Sequence, residues 1–246
     1  LNRLAGDTVY DNSTPQERIQ AELGRSLSYL RERISRREEW MAMKALLTGI
    51  TPIKGDGIDA EVDFRFAASH KVVLAGGAKW DAPTTATPLT DFRTWRRLVQ
   101  KDSGKNPNIV VMSPTALDLF MATDQIKNYI NNALSRMERG VINTNVADAA
   151  SGATFIGRIE GLDIYEYVEY FDDPDAAEAV TDLMPTNGVL LGSTDADCRR
   201  HYGVIQDVEA GQRVNAVGRW WAKSWFEQDP AVEWLMLQSA PLPAVH

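Results

Sequence analysis

Carboxylates are the side chains with the greatest capacity for chemistry in this 246-residue sequence. Between Gly161 and Cys198 the chain has ten Asp or Glu residues and no Lys or Arg. Oxygen ligands at this density, above all in the stretch DDPDAAE, could coordinate a cation such as calcium. The stretch lacks the glycine and the distal glutamate of an EF-hand loop, so a solvated acidic surface is the favoured interpretation.

The other residues capable of catalysis form no recognisable pattern. The three histidines, His70, His201 and His246, have no HxxxH or HxH spacing, so no metal site is predicted. Cys198 is the sole cysteine and cannot form an intrachain disulfide or a multi-cysteine zinc site. A GxSxG elbow and a P-loop are both missing from the sequence. We therefore predict no enzyme, no metal and no cofactor.

Composition excludes two further classes of protein. The formal net charge is −8 and the isoelectric point is near 5.0, which argues against a general nucleic-acid-binding surface. No run of about 20 apolar residues occurs, so no membrane-spanning helix and no membrane partner are predicted. The chain begins at Leu1 with polar residues, so we expect no signal peptide. With no Met at its start, we also expect an upstream part to be missing.

One long helix is predicted to organise the first part of the chain, from about residue 15 to 48. Thr14 is a natural N-cap, Pro15 suits the first helical position, and Glu17 completes a capping box. Gly49 and Pro52 end the pattern. A narrow apolar stripe follows steps of three and four with one step of seven: Ile19, Leu23, Leu27, Leu30, Ile34, Met41 and Ala45. At 1.5 Å per residue the helix would be about 50 Å long. A coiled coil is the alternative, although the repeat covers few heptads.

The remaining segments predict a mixture of helices and strands without a βαβ repeat, which indicates the α+β class. Strands are predicted in IDAEVDFRF from Val62 onward, and in KVVLAGGAKW, NPNIVVM and NGVLLGS. A strand pair is expected to turn at Glu160-Gly161 within GATFIGRIEGLDIYEYVEYFD. Helices are predicted from Leu89 to Val99, after the cap Ser113-Pro114, and in a segment that stops at Gly140. Extended segments follow from Tyr202 to Val245. Pro83 and Pro88 mark a possible junction between two lobes.

Four of the seven tryptophans lie within fifteen residues near the C-terminus: Trp220, Trp221, Trp225 and Trp234. Frayed tails are usually small and polar. We therefore expect this stretch to be buried, against the rest of the chain or against another chain.

The C-terminal third resembles the end of the lambda-like phage major capsid protein E family. The shared pieces are GSTDA, followed by Arg200 and the pair Tyr202-Gly203, then IQD, DPA after a tryptophan-like position, and QSAPL. The stretch TPLTDFRTW with NPNIVVMSPTALDLFMATDQIKNYI resembles the middle of the family. The predicted long helix matches the spine helix of the family in position and character.

This resemblance implies the fold of tailed-phage capsid proteins, the Hong Kong 97 type. Residues 1–89 would form the peripheral P domain with the spine helix at about 15–48, residues 90–197 the axial A domain, and residues 198–246 the strands that return mainly to the P domain. Only about a dozen residues precede the helix. The N-terminal arm and extended loop of the family would therefore be absent, and we expect this chain to form monomers or small oligomers.

The resemblance also implies a function and a set of partners. The chain would be a structural head protein of a phage or prophage that self-assembles into pentamers and hexamers of an icosahedral shell around packaged DNA. Scaffold, decoration and portal proteins are possible further partners. The protein would be found in the virion, after assembly in the cytoplasm of the host bacterium.

Two sets of residues are expected to act in assembly. The interface candidates are Arg18, Arg25, Arg33, Arg36, Arg37 and Trp221, because arginine and tryptophan are enriched at interfaces. Solvated surface charge is an equal alternative for each arginine. The candidates for apolar staples that fix the C-terminal strands to the helix stripe are Trp220, Trp225 and Trp234. Adjacent Trp220 and Trp221 would face opposite sides of a strand.

Three rival functions stay open at this point. Scattered carboxylates could meet in a cleft as a hydrolase site, which a strongly perturbed carboxylate pKa would support. The chain could be the shell protein of an encapsulating nanocompartment, which a bound cargo enzyme would favour. It could also be a soluble adaptor that binds one partner through its aromatic C-terminal surface, which a stable monomer would favour.

Overall fold

A computed structural model describes residues 14–55, 58–135, 152–171, 180–205, 218–229 and 231–245. Helices and strands are mixed in the chain, which confirms the α+β class. The helices are α1 (Pro15–Thr48), α2 (Pro88–Ser103), α3 (Pro114–Ala122) and α4 (Asp124–Ser135). The strands are β1 (Ile50–Gly55), β2 (Ile58–Asp63), β3 (Ile109–Met112), β4 (Ala153–Ile159), β5 (Leu162–Tyr167), β6 (Tyr170–Phe171), β7 (Thr181–Asp182), β8 (Val189–Gly192), β9 (Cys198–Tyr202), β10 (Trp221–Gln228), β11 (Ala231–Gln238) and β12 (Pro241–Val245).

Helix α1 begins and ends as the sequence predicts. The Thr14 N–H donates to Glu17 Oε2 at 2.7 Å, and the Glu17 N–H donates to Thr14 Oγ1 at 3.4 Å, so the capping box forms. The helix ends at Gly49, whose φ of +74° is a left-handed conformation that glycine adopts without strain. A Cβ at this position would lie 2.7 Å from Cγ of Phe66.

Burial along α1 is uneven. The last part is buried, with Trp40, Met41 and Ala45 all below 9% exposure. The first part is open, because Ile19 is 40% exposed and Leu23 and Leu27 are only half-buried. The predicted apolar stripe is therefore present, but only its C-terminal end is enclosed.

The chain falls into two units. Unit 1 consists of Leu1–Glu39 and Arg200–Leu242, and unit 2 of Trp40–Arg199 and Pro243–His246. The predicted division into P and A domains has its boundary at residues 89 and 90, inside unit 2. Trp80 and Phe92, from the two sides of that boundary, are packed edge to face in one core, with ring centroids 5.7 Å apart. The P and A assignments stay predictions.

Unit 2 is built on a four-stranded sheet of order β4-β5-β3-β8. Strand β3 is parallel to β5 and antiparallel to β8, and its residues Val110 and Met112 are fully buried. Helix α3 starts as predicted, because Ser113 Oγ accepts a hydrogen bond from the Ala116 N–H. Phe120 of this helix is also fully buried and packs against the ring of Phe92.

The turn between β4 and β5 is confirmed at Glu160-Gly161. Both residues have positive φ, +51° and +80°, as a two-residue hairpin turn requires. Arg93 of α2 forms a double ion pair with the Glu160 carboxylate, and Arg96 donates to the Glu160 carbonyl at 2.9 Å. These contacts explain how a non-glycine residue is held in the left-handed region.

Two predicted strands are wrong or shifted. The segment KVVLAGGAKW is not a strand. It follows a short 3-10 turn at Ala68–His70 and contains a second at Gly76–Ala78, and its Val73 is 90% exposed. A β-branched run needs a partner strand, and sequence propensity cannot supply one. The strand predicted from Val62 onward is instead Ile58–Asp63, because Arg65 has a φ of +56° and breaks the alternation. The predicted helix stop at Gly140 and the acidic DDPDAAE stretch lie outside the described residues.

The C-terminal part of unit 1 is extended, as predicted. Strands β10 and β11 form an antiparallel hairpin that sets Trp225 opposite Trp234. The Gly203 N–H donates to the Ala240 carbonyl at 2.8 Å. This bond joins the segment that precedes the hairpin to the segment that follows it.

Candidate functional site

A buried carboxylate, Glu38, is the centre of the main charged cluster in unit 1. Its side chain is 1% exposed, although it lies in the arginine-rich part of α1. Arg219 Nη2 is 3.0 Å from Glu38 Oε2, and Arg200 Nη1 is 3.5 Å from the same oxygen. The Tyr202 hydroxyl donates to the carboxylate at 3.4 Å. All three partners come from the C-terminal part of the chain, so Glu38 ties that part to the helix.

The cluster follows from the cost of burying charge. An isolated carboxylate in a protein interior is strongly unfavourable unless cations and hydrogen-bond donors surround it. Two guanidinium groups and one hydroxyl meet this need, while Arg200 and Arg219 keep 60% and 40% of their side chains exposed to water. The arrangement fixes chain segments in place, and it offers neither a nucleophile nor a proton-transfer pair.

Cation–π contacts extend the cluster along α1. The Arg219 guanidinium lies 4.5 Å from the centroid of the Trp220 ring, and that of Arg31 lies 5.1 Å from the same centroid. Arg31 precedes Glu38 by two helical turns, about 10 Å. A continuous path from Glu38 through Arg219 and Trp220 to Arg31 therefore runs beside the helix.

The C-terminal tryptophans are not fully buried within the single chain, and burial against another chain, the second predicted alternative, stays a prediction. Trp225 and Trp234 stack on each other, with centroids 6.4 Å apart and planes inclined by 16°. They remain 40% and 49% exposed, so the prediction that they are core staples is wrong for the single chain. Among the described residues, β10 and β11 pair only with each other. Trp220, at 36% exposure, does lie against α1, but on the Arg31 guanidinium and not on the apolar stripe.

Trp221, the tryptophan expected at an interface, is the least exposed of the four. It is half-buried, whereas its three neighbours are classed as exposed. Trp221 pairs with Gln238 at the base of the hairpin, away from the β10–β11 turn. Its predicted role in a contact with a second subunit stays a prediction.

The five candidate arginines lie along α1 in different surroundings. Arg25 pairs with Glu22 at 3.6 Å, and Arg33 lies over the Tyr29 ring at 5.8 Å. Arg36 is exposed, and Arg18 and Arg37 are half-buried. Their part in contacts between subunits stays a prediction.

Sequence reasoning missed Glu38, Arg31 and Arg219. A signal for Glu38 was present, because the single step of seven in the apolar stripe lies between Ile34 and Met41, and Glu38 fills the missing position. Arg200 and Tyr202 had been noted as part of the family resemblance. Their common partner could not be known, since it precedes them by more than 160 residues in the chain.

The described residues show no chemical centre. In the described ranges, no group of three or more His, Cys, Asp or Glu side chains is placed to hold a metal ion. His70 pairs with Asp102 at 2.8 Å on the surface of unit 2. Partial burial, and to a lesser degree the Asp197 carboxylate, raise the pKa of the Cys198 thiol, so less of the reactive thiolate is present at neutral pH. No helix in the described ranges is both long and apolar enough to cross a membrane.

Comparison with known proteins identifies the family. The model of the family described as "Phage major capsid protein E" matches residues 1–246. The chain belongs to the phage major capsid protein E family. This family is one of capsid proteins and not of enzymes, which agrees with the prediction of a non-enzymatic chain.

Curated proteins similar to this chain include major capsid proteins of phages. The chain is 28% identical over 214 residues to the major capsid protein of Escherichia phage lambda, which covers 85% of this chain and 60% of that protein. It is 27% identical over 246 residues to the major capsid protein of Enterobacteria phage P21, which covers 98% of this chain and 70% of that protein. The chain thus spans about 60% of the length of the lambda protein.

A solved structure supports the fold of this member of the phage major capsid protein E family. The crystal structure of a prophage capsid protein from E. coli CFT073 superposes with a TM-score of 0.73 and 22% sequence identity. The match covers 98% of this chain and 68% of that protein. The two chains share a fold of mixed helices and strands.

Proposed function

We propose that this protein is a structural major capsid protein, many copies of which assemble into the shell of a phage or prophage head. The observation that carries the proposal is the family match over the whole chain, residues 1–246. Relatives named major capsid proteins, at 27–28% identity over most of the chain, support it.

The proposed architecture is the Hong Kong 97-type fold. Helix α1 serves as the spine helix, residues 1–89 as the P domain, residues 90–197 as the A domain, and residues 198–246 as returning strands. The uninterrupted 34-residue α1 and its connection to the C-terminal part through Glu38 support this assignment.

The proposed mechanism is association. Copies form pentamers and hexamers through head-to-tail contacts that close into rings. Each contact can be modest, because many contacts act together in a closed shell. The partners are other copies of this protein, with packaged DNA held inside and scaffold, decoration and portal proteins as further partners. The protein is part of the virion and assembles in the cytoplasm of the bacterial host.

Electron microscopy and sedimentation of the protein expressed from its complete gene test the proposal. Closed shells or capsomer rings are expected, with scaffold and protease partners supplied if the gene neighbourhood encodes them. A monodisperse monomer over a wide range of salt and protein concentration would overturn the proposal and favour an adaptor. Shells that enclose a cargo enzyme in place of DNA would favour a nanocompartment.

A further inference from the structure

A cavity of about 650 Å³ in unit 2 borders the last strand of the four-stranded sheet. This strand, β8, contributes Val189, Leu190 and Leu191 to the lining. Val189 and Leu191 pack against the core that contains Trp80, and Leu190 packs against the cluster that contains Trp40. Successive side chains of a strand point to opposite faces of the sheet. A cavity that meets all three residues therefore runs along the edge of the sheet and not over one face.

The edge of β8 that points away from β3 is open. The carbonyls of Gly188 and Gly192 accept hydrogen bonds from backbone N–H groups that flank β3, at 3.1 and 3.0 Å. Backbone groups alternate in direction along a strand, so those of Val189 and Leu191 point away from β3. Among the described strands β8 pairs only with β3, and no backbone hydrogen bond within the described ranges reaches these outward groups. An edge of this kind can accept a further strand.

A segment with the composition of a strand borders the same cavity. Residues 71–74, with the sequence KVVL, line it, and this run is as long as β8. Val72 is 50% exposed and Val73 90%, which is unfavourable for apolar side chains. The following Ala75 is already extended, with a φ of −131° and a ψ of 154°. Residues 71–77 are here called the strap. A segment that needs a partner strand and an edge that lacks one therefore meet at one cavity.

The size and the walls of the cavity suit one added strand. Leu46 and Leu47 line it and pack against the cluster of Trp40, while Trp95 lines it and packs against the core of Trp80. Apolar side chains therefore cover the cavity on both sides of the sheet. A four-residue strand with its side chains fills a slab of about 13 by 5 by 10 Å, roughly 600 Å³. The cavity has a similar volume.

We propose that the strap is a latent fifth strand, which docks on the open edge of β8 and closes the cavity. The sheet then has the order β4-β5-β3-β8-strap, and the outward backbone groups of Val189 and Leu191 gain partners. Docking also removes Val73 from water. The inference concerns unit 2 alone and does not depend on the proposed capsid function.

Fixed points before and after the strap limit the part of the chain that moves. Before it, His70 Nε2 lies 2.8 Å from Asp102 Oδ2 of α2. After it, the Trp80 Nε1–H donates to Asp91 Oδ2 of α2 at 3.0 Å, and the Trp80 side chain is buried. Between them Gly76 has a φ of +56°, and a Cβ added there would meet nothing within 4 Å. The chain can turn at this glycine while both ends of the segment stay attached to α2.

The first test traps the docked strap with a disulfide in the full chain carrying Cys198→Ser. One variant carries Val73→Cys with Leu190→Cys, and the other carries Val73→Cys with Leu191→Cys. In a docked strand, position 73 shares a face with only one of these two neighbours, because their side chains point to opposite faces. With oxidised glutathione, one disulfide is therefore expected to form at least about tenfold faster than the other.

Amide hydrogen exchange shows whether the trapped strap pairs with β8. In the oxidised variant, the backbone amides at positions 189 and 191 are expected to exchange about tenfold more slowly than in the reduced form. The amide at position 190 points to β3 in both forms, so it is the internal control and is expected to be unchanged. Equal rates in both forms at positions 189 and 191 would show a cross-link without strand pairing and overturn the inference.

A change in the strap alone covers the case in which a cysteine in β8 prevents folding, which circular dichroism detects. Val73→Asp puts a charge into the docked strand, whereas Val73→Thr keeps a β-branched side chain of similar shape. Exchange at position 191 is expected to be about threefold faster in the Asp variant than in the Thr variant. Equal exchange in these two variants would contradict the proposal. Two disulfides that form equally fast, or not at all in folded variants, would show that the strap is an ordinary loop.

Discussion

Glu38 shows how one residue can join distant parts of this chain. A carboxylate with 1% exposure contributes to stability only while its partners are present, since removal of the partners leaves a buried charge in place of a pair. Its partners Arg200, Tyr202 and Arg219 follow it by 162 to 181 residues, so the contact closes a very long loop. The stabilisation is limited, because both guanidinium groups remain partly in water.

Glu38→Gln is expected to lower the free energy of unfolding by about 1–2 kcal/mol. The amide keeps a hydrogen bond but loses the charge that Arg219 and Arg200 neutralise. Urea unfolding followed by tryptophan fluorescence measures the change, with Glu32→Gln on the exposed side of the same helix as the matched control. Equal midpoints for the two variants would show that the cluster does not stabilise the fold.

Cys198 is expected to react slowly with iodoacetamide at neutral pH. Partial burial, and then the neighbouring Asp197 carboxylate, raise the pKa of the thiol, so the reactive thiolate forms only at higher pH than in a free cysteine. The pH profile of alkylation should have its midpoint above that of the unfolded chain in urea. Asp197→Asn should move the midpoint partly back, and an unchanged midpoint would assign the effect to burial alone.

At the scale of elements, two glycines of α1 have opposite effects on the helix, one inside it and one at its C-terminal end. Gly24 lies inside the helix, at its tenth residue, and an added Cβ would meet nothing within 4 Å. Gly49 ends the helix in the left-handed region, and a Cβ there would collide with Phe66. The same residue type is therefore a conformational cost in one place and a requirement in the other.

Opposite effects are expected from two identical substitutions. Gly24→Ala should stabilise the protein by about 0.5–1 kcal/mol, because alanine has the higher helix propensity. Gly49→Ala should destabilise it by about 2 kcal/mol or more, because positive φ and the contact with Phe66 add. Thermal and urea unfolding of both variants measure the changes, and a shift in the same direction for both would contradict the account of the helix end.

At the scale of the whole molecule, exposed aromatic surface is the feature that sets this chain apart from an ordinary soluble monomer. Trp220, Trp225 and Trp234 are between 36% and 49% exposed, although tryptophan usually lies inside proteins. A protein that assembles must keep such surface open until a partner covers it.

Tryptophan fluorescence is expected to report assembly. Emission should shift to shorter wavelength as the concentration rises and copies associate, because water leaves the exposed indole rings. Trp225→Phe with Trp234→Phe should remove most of the shift, while Trp95→Phe, at a half-buried position in unit 2, should retain it. A shift of equal size in both variants would place the covered tryptophans elsewhere.

The sequence alone determined the features that depend on neighbours along the chain. The capping box at Thr14, the end of α1 at Gly49 and the cap at Ser113 are local, since each is decided by residues within about four positions. The turn at Glu160-Gly161 was also predicted from local residues, although Arg93 and Arg96 of α2 help to hold Glu160 in its conformation. The family could also be named from short motifs. The α+β class followed from the order of such elements.

Tertiary structure decided what depends on distant partners. KVVLAGGAKW has the composition of a strand, yet it forms none, and no strand of the described ranges pairs with it to complete the hydrogen bonds. Trp225 and Trp234 are large apolar residues of the kind that forms a core, yet they are exposed, and among the described strands β10 and β11 pair only with each other. Glu38 is a charged residue of the kind usually found on the surface. It is buried because Arg200 and Arg219, 162 and 181 residues further along the chain, neutralise its charge. Burial and strand pairing depend on the tertiary structure of the folded chain, so a local sequence pattern cannot predict them.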